Sequence, residues 1–297
     1  MNLNGVININ KPKGMTSHDV VAKIRRRLCI KKVGHTGTLD PMATGVLPVC
    51  VGNATRMIEY YDNDFKTYHA SMQLGIQTDT LDITGEVLNK ESFKSVTKDS
   101  IEGAFGKYIG QVSQTPPRYS ALKINGKKAY ELAREGKEFT LKAREIFIKQ
   151  IGITYLDISK GIIEFDVECS KGTYIRTICD DIGKDLGCGG CMTDLVRTSN
   201  GCFDISESVS LQDLVEADDE AICAMIRPID ETLVTLGIVE LKELRLKYFM
   251  NGNGSYNDGY SIIVNKENYY RVYCNDVFLG VASIDENGVL VPEKVFK

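Results

Sequence analysis

The run Lys66-Thr67-Tyr68-His69-Ala70-Ser71-Met72-Gln73-Leu74 alternates without a break: Tyr68, Ala70, Met72 and Leu74 fall on one side, Thr67, His69, Ser71 and Gln73 on the other. A period of two does not fit a helix face, so this stretch is a strand with one buried face. Ile163, Phe165, Val167 and Cys169 repeat the pattern against Glu164, Asp166 and Glu168. Upstream, Ile146, Ile148, Ile151, Ile153 and Tyr155 predict a partner strand that changes register near Gln150, joined to the next through Ser159-Lys160-Gly161 as a hairpin. Gly5–Asn10 and Val46–Val51 read as further strands. Helical spacing appears between them. Val20, Val21, Ile24 and Leu28 mark a helix capped by Thr16 or Ser17, with Asp19 favourable in its first turn. Ile175, Ile178, Ile182 and Leu186 mark another, ended by Gly187. Residues 54–61, 100–105 and 129–135 read as shorter helices and 114–121 as extended chain.

With 297 residues, 43% hydrophobic and 26% charged, the chain has the composition of a soluble globular protein with room for two domains. Its apolar runs are too short to span a membrane. The opening Met1-Asn2-Leu3-Asn4 has neither a basic nor an apolar leader region, so the expected compartment is the cytoplasm. The net charge of −4 is unevenly spread. Residues 11–32 carry eight Lys/Arg against Asp19 alone, and residues 118–149 carry nine against four glutamates. Either run alone is a solvated face; two on an acidic protein point to a polyanionic partner. Nine cysteines in such a chain are mostly small buried hydrophobes. Cys188-Gly189-Gly190-Cys191 has redox or zinc spacing, with Cys179 and Cys202 as further thiolates, but there is no second CxxC and Cys179 falls on an apolar helix face. No metal and no cofactor are expected.

The densest chemistry lies in Val33-Gly34-His35-Thr36-Gly37-Thr38-Leu39-Asp40-Pro41-Met42-Ala43-Thr44-Gly45. Pro41 pushes Asp40 out of helical conformation, and three glycines permit a tight loop that presents one acid. Thr36, Thr38 and Thr44 can donate hydrogen bonds that favour the carboxylate, making Asp40 a candidate nucleophile. The same residues also suit an Asx-type turn serving its own backbone.

This loop resembles the catalytic motif of the TruB family of pseudouridine synthases, in which the aspartate before proline is catalytic. Four more segments resemble family motifs in family order: Asn10-Lys11-Pro12-Lys13-Gly14-Met15-Thr16-Ser17, Thr78-Asp79-Thr80-Leu81-Asp82-Ile83-Thr84-Gly85, Lys171-Gly172-Thr173-Tyr174-Ile175-Arg176, and Leu195-Val196-Arg197-Thr198. Asn10 replaces the usual aspartate, with no expected effect on chemistry. Val196 replaces the first arginine of Leu-Arg-Arg-Thr, so one phosphate or substrate contact is expected to be missing.

The resemblance implies an α+β fold: a mixed, largely antiparallel sheet in a catalytic domain over 1–232, with a thumb-like basic insertion at about 118–145, and a small PUA-like RNA-binding β-barrel over 233–297. Short β-rich runs at 260–264, 269–274 and 277–282, after a helix at 241–250, fit such a domain. It implies conversion of a uridine in the T-loop of tRNA to pseudouridine. Asp40 is then the catalytic acid, oriented by Arg176, with Tyr174 contacting the site as a proton acceptor. Tyr68 stacks on the flipped base, Leu195 lines the uracil pocket and His35 prises or holds the T-loop. Lys11, Lys13, Lys127, Lys128 and Arg197 are assigned to the RNA backbone. The acids of the 78–85 segment are read as loop-ordering groups. The expected partner is the tRNA T-stem-loop, bound by a monomer. The rivals are a non-catalytic RNA-binding or chaperone protein and a guide-RNA-dependent synthase subunit.

Overall fold

The computed structural model describes residues 3–61, 65–266 and 268–296. Met1 and Asn2 of the N-terminal reading lie outside them. Ten strands form the main sheet: β1 (Gly5–Lys11), β2 (Val33–His35), β3 (Thr44–Val51), β4 (Lys66–Leu74), β5 (Gly110–Gln114), β6 (Arg144–Asp157), β7 (Ile162–Cys169), β8 (Gly190–Asn200), β9 (Phe203–Asp204) and β10 (Val209–Ser210). The order is β10-β1-β3-β8-β4-β7-β6-β5, with β2 on β3 and β9 on β8. Only β1–β10 and β3–β8 pair parallel. The sheet is therefore mixed and largely antiparallel, as the sequence predicts. The alternating 66–74 run is β4, and its polar side faces outward. The β6–β7 hairpin shifts register between Ile148 and Gln150, where the apolar pattern changes phase.

Three helices, α1 (Ser17–Leu28), α2 (Lys98–Gly106) and α3 (Ile175–Asp185), contribute Val20, Ile24, Ile101, Phe105, Ile178 and Ile182 to the core shared with Ala70, Met72 and Phe165 of the sheet. Thr16 caps α1 by accepting from Asp19 N while Asp19 accepts from Thr16 N. The segment predicted as a helix at 54–61 is instead a 3₁₀ run, Gly52–Tyr61. Ala54, Met57 and Tyr60 are buried at intervals of three, the spacing that eclipses on a 3₁₀ turn.

The C-terminal part begins with a strand, Gly237–Leu241, so the helix predicted from 241 starts later, at Glu243–Met250. With Tyr260–Val264, Tyr269–Cys274, Val277–Ile284 and Leu290–Val295 this strand forms a five-stranded sheet around Val239, Phe249, Val272 and Leu290. One side of it packs on the main domain. Val281, Tyr269, Phe278 and Phe296 share a cluster with Val46, Met57, Tyr60, Ile229 and Leu233. Arg271 Nη1 donates to Asp230 O at 2.8 Å, and Lys294 pairs with Glu59 at 3.0 Å.

Candidate active site

The Asp40 loop leaves β2, crosses over α1 and rejoins the sheet at β3. Its path is tied at several points. Leu39 N donates to Ser17 Oγ at 2.9 Å, Gly14 N to Pro41 O at 2.7 Å, and Ala43 N closes a turn on Asp40 O at 3.0 Å. The turn at Asp40 is made by its main-chain carbonyl, and its carboxylate contacts Arg176 instead of serving as an Asx turn. It faces a cleft of about 360 Å³ lined by Tyr68, Leu195, Tyr174 and Arg176 among others. The sheet, the start of α3 and the Asp40 loop thus bring together five residues that the sequence scatters over 156 positions, from Asp40 to Leu195. A wider groove beside Asn8, Glu207 and Arg227 lies elsewhere and gathers no comparable set.

Arg176 sits in the first turn of α3, where the helix dipole disfavours a cation. Two carboxylates compensate. Its Nη2 lies 3.4 Å from Asp40 Oδ2, and its Nη1 lies 3.6 Å from Asp82 Oδ2. Nη2 also donates to Tyr119 O at 2.7 Å. Asp82 is held by Thr84 N at 3.0 Å and Thr80 Oγ1 at 3.0 Å. Asp82 is therefore more than a loop-ordering acid. It shares the guanidinium with Asp40, a contact that a turn-rich sequence segment does not reveal.

The carboxyl of Asp40 is about one-third exposed, at 34%. Burial in the cleft raises its pKa, Arg176 pulls it down, Asp82 raises it again and Lys11 lowers it. Burial wins, so the acid is a stronger base than an ordinary aspartate, which suits a nucleophile. None of the hydroxyls of Thr36, Thr38 and Thr44 donates to it among the described residues; Thr36 Oγ1 accepts from Asn200 instead.

Tyr68 is buried on the cleft floor, and burial raises its phenol pKa. Tyr174 caps α3, its backbone clasped by Gln114: Tyr174 N donates to Oε1 at 2.8 Å and Nε2 donates to Tyr174 O at 3.1 Å. Its ring lies under Arg144, 5.2 Å from the guanidinium carbon. Leu195 is buried on β8 facing the cleft.

Two of the residues assigned to the RNA backbone are interior. Lys11 is fully buried, and its Nζ donates to Met15 O at 2.6 Å and Pro12 O at 3.0 Å, with its pKa pushed down to about 8 by burial. Arg197 is 1% exposed and bonds backbone carbonyls beneath the Asp40 loop. Lys11 is enclosed by its own chain, and the Arg197 guanidinium, though it borders the cleft, is taken up by two backbone carbonyls, so both assignments are corrected. Lys13 is exposed and pairs with Asp194 at 2.8 Å. Lys127 and Lys128 stand on a short two-stranded hairpin with Lys123 and Ile124, Lys127 beside Glu135 at 3.7 Å and Lys128 over the Tyr130 ring. His35 does not line the cleft. Its ring meets His18 edge-on at 6.0 Å, and burial lowers its pKa to about 4, so it is neutral at physiological pH. Val196 points to the opposite face of β8 from Leu195 and Arg197, beside His69, so an arginine there would face away from the cleft. Lys66, Arg144 and Lys171 line the cleft and give it a positive wall. They come from three separate segments: Arg144 belongs to the basic 118–149 run and Lys171 to the Lys171–Arg176 motif, while Lys66 lies in neither basic run.

Residues 25–175 match the TruB family pseudouridylate synthase N-terminal domain, which is more than half of the chain. The chain belongs to the TruB family. Residues 176–234 match the tRNA pseudouridylate synthase B C-terminal domain and residues 238–296 the pseudouridine synthase II TruB C-terminal domain. Among TruB relatives, the tRNA pseudouridine synthase B of Clostridioides difficile (strain 630) is 44% identical, with 98% of each chain covered. That of Clostridium perfringens (strain 13 / Type A) is 46% identical, covering 96% of this chain and 97% of the relative. Among solved structures, a Cbf5-Nop10-Gar1 complex matches with a TM-score of 0.78 at 26% identity, covering 99% of this chain and 85% of that one.

Proposed function

We propose that this chain isomerises uridine to pseudouridine in tRNA, acting on the T-stem-loop as a metal-free cytoplasmic monomer. The observation that carries this reading is Asp40, a carboxylate of raised pKa, facing a cleft that also holds Tyr68, Leu195, Tyr174 and Arg176.

The reaction breaks the C1′–N1 bond of uridine and forms C1′–C5; C5 loses a proton and N1 gains one. No redox change occurs. The base is stacked in its loop, so it must be extruded, at a few kcal/mol offset by new stacking and phosphate contacts. On this reading Tyr68 takes one face of the flipped uracil and Leu195 bounds its pocket. Asp40, aimed by Arg176, attacks the nucleotide or assists glycosidic cleavage. Tyr174 stands at the site as acceptor for the C5 proton. Arg144 and Lys171 meet the flanking phosphates, with Lys127 and Lys128 on the thumb and Lys13 at the rim. The C-terminal sheet is the PUA-like RNA-binding domain of a chain divided at 232/233.

The test is purified protein with unmodified tRNA transcript, mapping pseudouridine by carbodiimide treatment and primer extension. One new pseudouridine in the T-loop, absent with Asp40→Asn while binding persists, is the expected result. Binding with no modification by the wild-type protein would leave a chaperone or a guide-dependent subunit.

A further inference from the structure

The Asp40 loop is anchored at both ends by one side chain. Arg197 Nε donates to Val46 O at 2.6 Å, and its Nη2 donates to Gly37 O at 3.1 Å. These carbonyls bracket Asp40 from either side in sequence. Arg197 is also the cross-strand partner of Tyr68, at Arg197↔Tyr68 in the β8–β4 pairing. Arg197 itself is 1% exposed, and β8 pairs with β3 at Arg197↔Gly45. At Gly45, φ is +99°, and a Cβ would come within 2.2 Å of Arg197 O, so the two backbones touch. An arginine fork has fixed donor directions, unlike a lysine ammonium, so one group can hold two carbonyls in a set geometry beside Tyr68.

We infer that Arg197 is a positioning residue for the isomerisation: it fixes the Asp40 loop and the Tyr68 ring relative to each other, rather than holding RNA. This rests on the function proposed above. Misplacing a reacting group by about 1 Å costs about a hundredfold in rate. Losing the fork frees both the acid and the ring that is to stack on the base.

Arg197→Ala and Arg197→Lys are to be compared with wild type and Asp40→Asn on unmodified tRNA transcript, reading the single-turnover rate, the tRNA Kd and the melting temperature. The expected result is a rate loss of about a hundredfold in Arg197→Ala with Kd unmoved. Millimolar methylguanidinium should return part of the rate to Arg197→Ala and none to Asp40→Asn. A weakened Kd with an intact saturated rate would overturn the inference and make Arg197 an RNA contact. A rate loss that tracks melting temperature and resists methylguanidinium would overturn it in favour of a merely structural role. Should Arg197→Ala fail to fold, Arg197→Lys decides: it keeps the charge but not the fork, and a wild-type rate refutes the inference. An inactive wild type would instead overturn the proposed function beneath it.

Discussion

Arg176→Met removes the cation between Asp40 and Asp82 while keeping much of the side-chain volume. Its cost follows from the two acids left behind. Asp82 is 5% exposed and cannot rehydrate, so it becomes a buried carboxylate without its counter-ion. Breaking such a pair costs about 3–5 kcal/mol. The lower end applies, because Thr80 and Thr84 still donate to Asp82 and Asp40 can reach water. We therefore predict a loss of about 3 kcal/mol in urea unfolding at neutral pH. Asp82→Asn in the same chain should recover about 2 kcal/mol, because the orphaned charge is then gone. Both variants should be inactive on tRNA. Additive single and double mutants, or a loss below about 1 kcal/mol for Arg176→Met, would refute the shared-guanidinium account.

The raised pKa of Asp40 means that the folded state binds its proton more tightly than the unfolded chain. Asp40→Asn should thus raise the melting temperature at neutral pH, and the gain should vanish as pH falls through the folded pKa. The acid limb of the wild-type pH–rate profile should lie above the ordinary aspartate range. Lys11 has the opposite sense: with a folded pKa of about 8 against 10.5, its burial penalty is full below 8 and is relieved as pH rises between the two values, so stability gains over that window that Lys11→Met should lack. Gly45→Ala should destabilise by about 2 kcal/mol or more in urea melts, because its φ of +99° and its contact with the Arg197 backbone both exclude a Cβ.

Local signals made much of this molecule legible. The Thr16 cap, the alternation of 66–74 and the phase change near Gln150 are short-range consequences of backbone geometry, and they appear where the sequence puts them. Asp40, Tyr68, Leu195, Tyr174 and Arg176 were identified from motifs and do meet in one cleft. Lys11 and Arg197 were misplaced, because a basic side chain satisfied by carbonyls looks in sequence like one that faces water. A clue existed for Arg197: it shares strand parity with inward-facing Leu195. Asp82 and Gln114 act through partners distant in the chain, and no local pattern carries that information. His35 sits in the catalytic motif yet packs on His18, so motif membership did not imply a place in the cleft.

The apolar seam joining the C-terminal sheet to the main domain bears on how the chain behaves when cut. Val281, Phe278 and Phe296 share an apolar cluster with Met57, Tyr60 and Ile229, which would otherwise face water. A truncation after residue 232 would therefore strip a lid from the 3₁₀ run behind β3, the strand to which the Asp40 loop returns. The fragment would expose a sticky patch and aggregate, and the intact protein should melt in one cooperative step rather than as two beads on a string.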